Sequence, residues 1–441
     1  GPGWLVVARA LLGVAGATIM PSTLSLIRTL FPDAKERATA IGVWGAGAAA
    51  GAALGPLVGG VLLEHFWWGS VFLLNLPVMV LLLVSGVWLL PESRDPRPGR
   101  WDVLSVLLSM AGVIGAVYGV KEFAVHGPEQ WTTPLVFGLG AAALALFVRR
   151  QLRLETPLLD VRLFRNARFT AAVVSSLICL IGLSGVIFFM SQYLQLVRGY
   201  SPLHAGFAEL PAFVGSVAGG LLTAVLVRRA GARRVLTAGL FVMGLGIGVL
   251  GFVRVDSAYL LLGSSFLALG TAEGVVYTLS SDLVLGAAPA DRAGAASAVS
   301  ETAYELGAAL GIALVGSIVT ALYAGSLSVP AGVDPALAEQ AGQSLGGARE
   351  AAAALPAGPA EQLLAHANDA FVHGVTVAAW VSAALLLAAA ALAHRLLGDR
   401  RTTGGTRTTG TSPGTPTGTS PGTPTEATAP AGGRVEAPAH R

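Results

Sequence analysis

The chain has 441 residues, of which 54% are hydrophobic and 12% are charged, and it carries a formal net charge of +3. A soluble domain carries about 25% charged residues, so this composition excludes a conventional soluble fold and indicates a membrane protein with several spans. The single cysteine, Cys179, excludes an internal disulfide and a cysteine metal cluster. The only lysines, Lys35 and Lys121, do not follow glycine, which excludes a GxxxxGKS/T phosphate loop and argues against an ATP-hydrolysing enzyme.

Eleven apolar segments follow one another along the chain, each near the ~20 residues that cross the hydrocarbon core of a membrane. They predict eleven transmembrane helices and therefore an all-α integral membrane bundle. In chain order the segments are Trp4–Ile27, Ala38–Leu63, Gly69–Leu90, Val103–Val120, Pro134–Val148, Phe169–Leu196, Leu203–Val227, Val235–Val253, Tyr259–Leu285, Ala295–Tyr323 and Phe371–Ala393.

Basic residues between these segments predict the orientation of the chain. When Arg28–Arg37 is placed in the cytoplasm, most of the 28 basic residues fall on cytoplasmic segments, as the positive-inside rule requires. We therefore expect a cell-membrane protein with its amino end outside and its carboxyl end in the cytoplasm. The positive charge reflects these loops, so we expect no nucleic-acid binding. Because residue 1 is Gly and the first span begins outside without a signal peptide, we also expect further sequence upstream.

The second span carries glycines at every fourth position from Gly47 to Gly59. In lipid this spacing makes a smooth face that another helix can approach closely, and a proline within it removes one backbone donor and bends the helix. The stretch GAALGPLVGG resembles the antiporter motif in the fifth helix of proton-driven exporters of the major facilitator superfamily. The alternative is an ordinary close-packed helix pair. The residues that match the motif are Gly51, Gly55, Pro56, Gly59 and Gly60.

Further stretches resemble the branch of that superfamily formed by drug:proton antiporters with fourteen helices. ARALLGVAGA at Ala8–Ala17 is similar to the fourth-helix motif, and FLLNLP at Phe72–Pro77 is similar to the sixth-helix pattern. SPLHAGFAELP at Ser201–Pro211 resembles the entry to the tenth helix, and DRAGAASAVSETAYELGAALGIA at Asp291–Ala313, the most specific match, resembles the thirteenth-helix region. The resemblance covers about Trp4–Leu396 and implies a bundle of fourteen helices, of which this chain holds eleven and lacks the first three. Because alternating access in this fold needs two six-helix halves, we expect that these 441 residues alone do not transport.

The resemblance implies a division of the chain into four parts. Residues 1–90 supply the fourth to sixth helices of the amino-terminal transporter half, and residues 91–168 supply two extra helices and a cytoplasmic loop. Residues 169–398 form the carboxyl-terminal half. Residues 399–441 repeat GTSPGTPT and are rich in Thr, Pro and Gly, so we expect a disordered cytoplasmic tail.

An extracellular loop is expected at residues 324–370, within the carboxyl-terminal half. Pro335–Gly346 and Pro359–Phe371 have helix-like apolar spacing around the breakers Pro356 and Gly358. This pattern predicts an amphipathic helical hairpin that caps the outer side. The alternative is a loose Ala-rich loop.

Ionisable residues inside the spans are the candidates for function, because a charge at the bilayer centre costs at least ~2.5–3.5 kcal/mol. Glu301 and Glu305 are four residues apart and so share one helix face. Two carboxyl groups this close in a low dielectric should not both ionise at once. Such a pair can take up a proton from one side and release it to the other, or exchange it for a cationic substrate. Of the two, we expect Glu305, which is nearer the membrane midplane, to hold the coupling proton and Glu301 to tune the substrate range. The alternative is a structural pair, hydrogen-bonded within the bundle.

Three further ionisable residues lie inside spans. We expect Glu209 to be a binding-site carboxylate, and Glu273 to serve either the cavity or a structural hydrogen bond. The arginine that matches Arg9 in the family lines the central cavity and is linked to proton transfer; the alternative is that Arg9 extends to the lipid headgroups. The histidines show no metal-ligand spacing, so we expect no metal site.

The resemblance implies an exporter that couples inward proton flow to the extrusion of lipophilic, cationic drugs or toxic compounds. Its partners would be the small lipophilic substrate, protons and the lipid bilayer, with no obligate protein partner and no cofactor beyond the proton gradient. One alternative is a dedicated exporter of a single endogenous metabolite or antibiotic. The other is a truncated, non-transporting relic or scaffold.

Overall fold

A computed structural model describes residues 2–31, 33–89, 102–126, 132–154, 157–287 and 293–397. Within these ranges the chain is almost entirely helical and contains no strand. The tail at 399–441, predicted to be disordered, lies outside the described residues. So do Asp291 and Arg292 at the start of the thirteenth-helix match, and the side chain of Pro56.

The helices are numbered in chain order. They are α1 Pro2–Leu30, α2 Ala34–His65, α3 Ser70–Leu73, α4 Asn75–Leu89, α5 Val103–His126, α6 Thr132–Gln151, α7 Ala167–Gln192, α8 Pro202–Ala230, α9 Ala232–Leu250, α10 Tyr259–Ala287, α11 Ala293–Ser326, α12 Pro335–Gln343, α13 Leu345–Ala353 and α14 Ala357–Leu396. A 3₁₀ turn covers Val161–Arg165, and α7 continues as a π-helical turn at Tyr193–Val197.

All eleven predicted spans fall on helices, which confirms the all-α integral membrane bundle. Among the residues that the structure describes, nine helical segments are long and apolar enough to cross a membrane. The other two predicted spans lie in α1, whose described apolar stretch is the shorter Gly3–Ile19, and in α2, whose side chains are only partly described.

Six helices, α7 to α11 and α14, pack into one bundle around the main apolar core. The closest pairs are α8 with α10, α7 with α11, and α9 with α14. Polar caps fix where two of these helices begin, because Asn166 accepts from the Arg168 amide at the start of α7 and Ser201 accepts from the His204 amide at the start of α8. Gly231, with φ of 81°, ends α8 and allows the sharp turn into α9.

Small residues bring α8 and α10 into backbone contact. A Cβ atom added at Gly270 would clash with the carbonyl oxygen of Ala212, and one added at Gly274 would clash with that of Ser216. Without a side chain at either position, the two helix axes approach closely, as in other small-residue contacts between membrane helices. This close approach places the side chains around Ser216 against those of α10.

The first four helices lie mostly outside this bundle. α4 has no buried residue, and the described side chains at the start of α1 are exposed. α2 contacts α8, where Gly60 lies against the backbone of Leu203. Apolar surfaces of this extent are stable against lipid tails or other apolar helices and not against water.

A polar clasp closes the pair formed by α5 and α6. The Arg150 guanidinium donates to both carboxylate oxygens of Asp102, at 2.9 and 3.1 Å, and the Gln151 amide donates to Ser105 at 2.7 Å. Gln151 in turn accepts from the Leu159 amide, which ties the segment after α6 to the same site. α5 also packs against α11, so the pair formed by α5 and α6 contacts the six-helix bundle.

The segment predicted as a helical hairpin is helical, but its helices are divided differently. α12 ends at Gln343, and a separate α13 follows after the Ser344 cap. The second predicted helix, Pro359–Phe371, is the first part of α14, which runs without interruption to Leu396. Gly358 and Pro359 do not break α14 because they lie in its first turn, where proline costs no hydrogen bond.

Candidate functional site

Glu273 is held by hydroxyl groups from two neighbouring helices, α8 and α11. It projects from α10, and its Oε2 accepts a 2.6 Å hydrogen bond from Ser216 of α8. Its Oε1 accepts a second, also 2.6 Å, from Tyr304 of α11. The glycine contact between α8 and α10 makes the first bond possible, because Ser216 faces Gly274, the residue after Glu273.

Glu301, on α11, accepts a hydrogen bond from a tyrosine of α10, whereas Glu273, on α10, accepts one from a tyrosine of α11. The hydroxyl of Tyr277, on α10, donates to Glu301 Oε1 at 3.0 Å. The rings of Tyr277 and Tyr304 meet edge to face, with centroids 4.8 Å apart. Five side chains therefore form one connected group, which we call the carboxyl–tyrosine cluster: Ser216, Glu273, Tyr277, Glu301 and Tyr304.

The pattern within the cluster is crossed. Each of α10 and α11 carries a glutamate followed, about one turn later, by a tyrosine: Glu273 by Tyr277, and Glu301 by Tyr304. Each tyrosine bonds to the glutamate of the other helix. The sequence analysis selected both glutamates and missed Ser216 and the role of the tyrosines, although a tyrosine three or four residues after each glutamate was a visible signal.

Glu305 lies one turn from Glu301 but has different surroundings. Its side chain is exposed, and it makes no hydrogen bond to another described residue. Glu301 is half-buried and bonded to Tyr277. The two carboxyl groups share a helix face, as expected, and only one of them joins the cluster.

Glu209 lies apart from the cluster, two helical turns before Ser216 on α8. Its side chain is only 8% exposed, and its buried Oε1 has no hydrogen-bond partner among the described residues. The side chain of Ser191, on α7, lies beside the carboxyl group. A buried carboxyl oxygen without a partner is costly when the group is ionised. This site therefore suits a protonated acid or one that receives a cationic group.

Arg9 is not brought to the carboxyl groups. Its guanidinium lies over the ring of Phe72, 4.9 Å from the centroid, and its side chain is exposed. Within the described part of the chain it forms no ion pair with Glu209, Glu273 or Glu301. The contact with Phe72 is a cation–π interaction that joins α1 to the short helix α3.

The glycines of the antiporter-like motif contact little in the described structure. No described atom lies within 4 Å of a Cβ added at Gly51, Gly55 or Gly59, whereas Gly60 lies against the backbone of Leu203. α2 remains one helix through Pro56. Among the described residues, the space beside Gly51, Gly55 and Gly59 is therefore open, and Gly60 is the glycine of the motif that packs directly on α8.

A polar pocket of about 260 Å³ lies where the end of α11 meets α14. The pocket is lined by Ser326, Ser328, His366, Asp369, Ala370 and His373.

Within the described ranges, no group of His, Cys, Asp and Glu side chains has an arrangement that could hold a metal ion.

Comparisons with known proteins agree on one family. The model of the Major Facilitator Superfamily matches residues 2–312. The multidrug efflux pump LfrA of Mycolicibacterium smegmatis is 46% identical over 388 residues, which cover 88% of this chain and 77% of that protein. The methyl viologen resistance protein SmvA of Salmonella typhimurium is 35% identical, over 87% of this chain and 78% of its own. The tetracenomycin C resistance and export protein of Streptomyces glaucescens is 30% identical, over 88% and 74%.

Proposed function

We propose, since this chain belongs to the Major Facilitator Superfamily, that it is an exporter of lipophilic, cationic drugs or toxic compounds driven by inward proton flow. The names of its relatives support drug export, because they include multidrug efflux pumps and resistance proteins. In this proposal the six packed helices α7 to α11 and α14 are the carboxyl-terminal transporter half. The energy source is the proton gradient, and no bound cofactor is required.

The observation that carries the proton-coupling proposal is the carboxyl–tyrosine cluster inside membrane-spanning helices. A phenolic hydroxyl can donate to a carboxylate and can also accept from a carboxylic acid. Glu301 therefore keeps a partner in Tyr277 whether or not it carries a proton, so proton uptake and release do not leave a buried polar group unpaired. Exposed Glu305, one turn away, is placed to pass a proton to or from Glu301.

Glu209 supports the cationic part of the substrate proposal. A cationic group near its unpaired Oε1 would supply the missing partner, and the surrounding apolar helices would contact the lipophilic part of the substrate. Arg9 remains assigned to the cavity on the family resemblance. The distance between Glu209 and the cluster, two helical turns along α8, lets a substrate and a proton occupy separate carboxyl groups.

Ethidium efflux tests this proposal. Cells deficient in their own exporters, loaded with ethidium and supplied with glucose, should lose the dye faster when they express this protein at its full natural length, and an uncoupler should abolish the difference. Efflux that the uncoupler does not affect would exclude proton coupling. Efflux equal to that of cells carrying the empty plasmid would favour the relic or scaffold.

A dedicated metabolite exporter is the second candidate, and the names of two relatives favour it. They are the tetracenomycin C resistance and export protein and the probable actinorhodin transporter of Streptomyces coelicolor. A panel of structurally unrelated cations separates the two functions. A multidrug exporter should extrude several of them, whereas a dedicated exporter should extrude none and should protect cells against one natural product.

A further inference from the structure

α10 and α11 carry the two cluster glutamates, yet their backbones make little contact. α10 packs closely on α8 and α9, and α11 packs closely on α7 and α14. At the depth of Glu273 and Glu301, α10 and α11 are joined by side chains: two hydrogen bonds and the contact between two tyrosine rings.

Each tyrosine in this bridge is constrained at both of its ends. The Tyr277 hydroxyl is bonded to Glu301, and its ring lies against the ring of Tyr304. The Tyr304 hydroxyl is bonded to Glu273, whose other oxygen is bonded to Ser216. A change in the bond between Tyr277 and Glu301 therefore displaces a ring that the Tyr304 ring contacts directly.

We propose that Tyr277 and Tyr304 are positioning residues. They couple the proton state of Glu301 to the hydrogen bonds by which Ser216 of α8 and Tyr304 of α11 hold Glu273. When Glu301 gains or loses its proton, its bond with Tyr277 changes direction or length, and the ring contact transmits this change to Tyr304. The bond from Tyr304 to Glu273 is altered in turn. This inference rests on the proposed proton-coupled export and identifies residues that link its proton site to the helix contacts.

The titratable groups around the bridge are few. Among the described residues, the ionisable neighbours of Glu301 are Tyr277, which is bonded to it, and Glu305, one turn away. Tyr277 also faces Glu273, and Tyr304 also faces Cys179 of α7. Within the described residues, the carboxyl groups that face the bridge are thus Glu273, Glu301 and Glu305.

The pH dependence of ethidium efflux tests the coupling. Tyr277→Phe removes a donor to the Glu301 carboxylate, and such a donor favours the ionised form, so the midpoint of the rate–pH profile should move up by about one pH unit. Tyr304→Phe does not touch Glu301, yet it should move the midpoint in the same direction by at least half as much. Tyr323→Phe is the matched control, because Tyr323 is a buried tyrosine of the same helix whose hydroxyl bonds the Ala341 carbonyl, and its midpoint should match the wild type.

Two results would overturn this inference while leaving the proposed function intact. One is uncoupler-sensitive efflux with an unchanged midpoint in Tyr304→Phe, which would make the effect of Tyr277 local. The other is an equal shift in Tyr323→Phe, which would make the effect nonspecific. If wild-type efflux does not respond to the uncoupler, the proposed function itself fails. Because the readout is a midpoint among transporters that reach the membrane, lower expression of a variant does not produce the expected shift.

Discussion

Glu301 and Glu305 differ in exposure and bonding, although one helical turn separates them. The amide of a glutamine retains the size of the side chain and can still accept from Tyr277, but it cannot titrate. A neutral amide also costs less to bury than a charge, so the variants should reach the membrane. Glu301→Gln and Glu305→Gln test the role of titration without removing the cluster's packing.

In proteoliposomes with an internal pH dye, either substitution should abolish the proton release that ethidium induces in the wild type. If both variants release protons at the normal stoichiometry, Glu301 and Glu305 are structural and the coupling acid lies elsewhere in the protein. Loss in only one variant would assign coupling to that residue alone.

Glu209 should contribute to cation binding. Removing its charge with Glu209→Gln should weaken ethidium binding by about tenfold or more, because a desolvated carboxylate no longer faces the cation. Binding of a neutral lipophilic dye should be unchanged, and Glu209→Asp, which keeps the charge, should retain part of the affinity. Fluorescence titration of the purified protein measures all three, and equal affinities of wild type and Glu209→Gln for ethidium would exclude the assignment.

At the scale of helices, backbone contact between α8 and α10 sets the geometry of the cluster. Gly274→Ala places a methyl group against the carbonyl oxygen of Ser216, so the helices must separate or strain. Overpacking of this kind costs roughly 1–3 kcal/mol. The apparent Tm in detergent should fall by several degrees.

Gly286→Ala is the control for that substitution, because it lies on the same helix and an added Cβ meets no described atom within 4 Å. Its Tm should equal or slightly exceed that of the wild type, because alanine favours a helix more than glycine does. If Gly274→Ala is as stable as Gly286→Ala, the close approach of α8 and α10 does not support the cluster.

The clasp between α5 and α6 gives a pH-dependent contribution outside the spans. Hydrogen bonds from Arg150 and Ser105 lower the pKa of Asp102 from its ordinary value of 3.8 to about 2. Because the folded-state pKa is the lower one, the clasp stabilises the pair fully above about pH 4, and this contribution is lost as the pH falls through about 2. The Ser105 amide, which donates to Asp102, should lose protection from hydrogen exchange over that interval. Asp102→Asn should remove the pH dependence, and an unchanged profile would contradict the assignment.

The sequence predicted the helices well because a span needs only a run of apolar residues of fixed length. It also selected Glu273 and Glu301 as candidates, since an ionisable residue in such a run is conspicuous. It could not show that Tyr277 and Tyr304 bond across to the opposite helix, because that depends on how α10 and α11 are rotated about their axes. The exposure of Glu305 and the continuity of α14 through Gly358 depend on tertiary packing in the same way.

At the scale of the whole molecule, the basic residues predict an orientation that the helices alone do not fix. After replacement of Cys179 by Ser, single cysteines at Arg165 and Ser328, both exposed, should report opposite sides of the membrane. A membrane-impermeant maleimide applied to intact cells should label Ser328→Cys and leave Arg165→Cys unlabelled until the cells are opened. The reverse pattern would invert the proposed topology.

The unbroken length of α14 has a mechanical consequence. Its 40 residues extend about 60 Å, roughly twice the thickness of the hydrocarbon core. Leu363 and Ala367, in the half that projects beyond the core, are buried in the same cluster as residues of α12 and α13. α13 packs on this half of α14, and α12 is bonded to α11 through the Tyr323 hydroxyl and the Ala341 carbonyl. If α14 pivots by about 10° at the membrane midplane, its outer tip moves by roughly 8 Å. A spin label at Glu361, which is exposed near that tip, would therefore report a large displacement even when the tilt within the membrane is too small to detect.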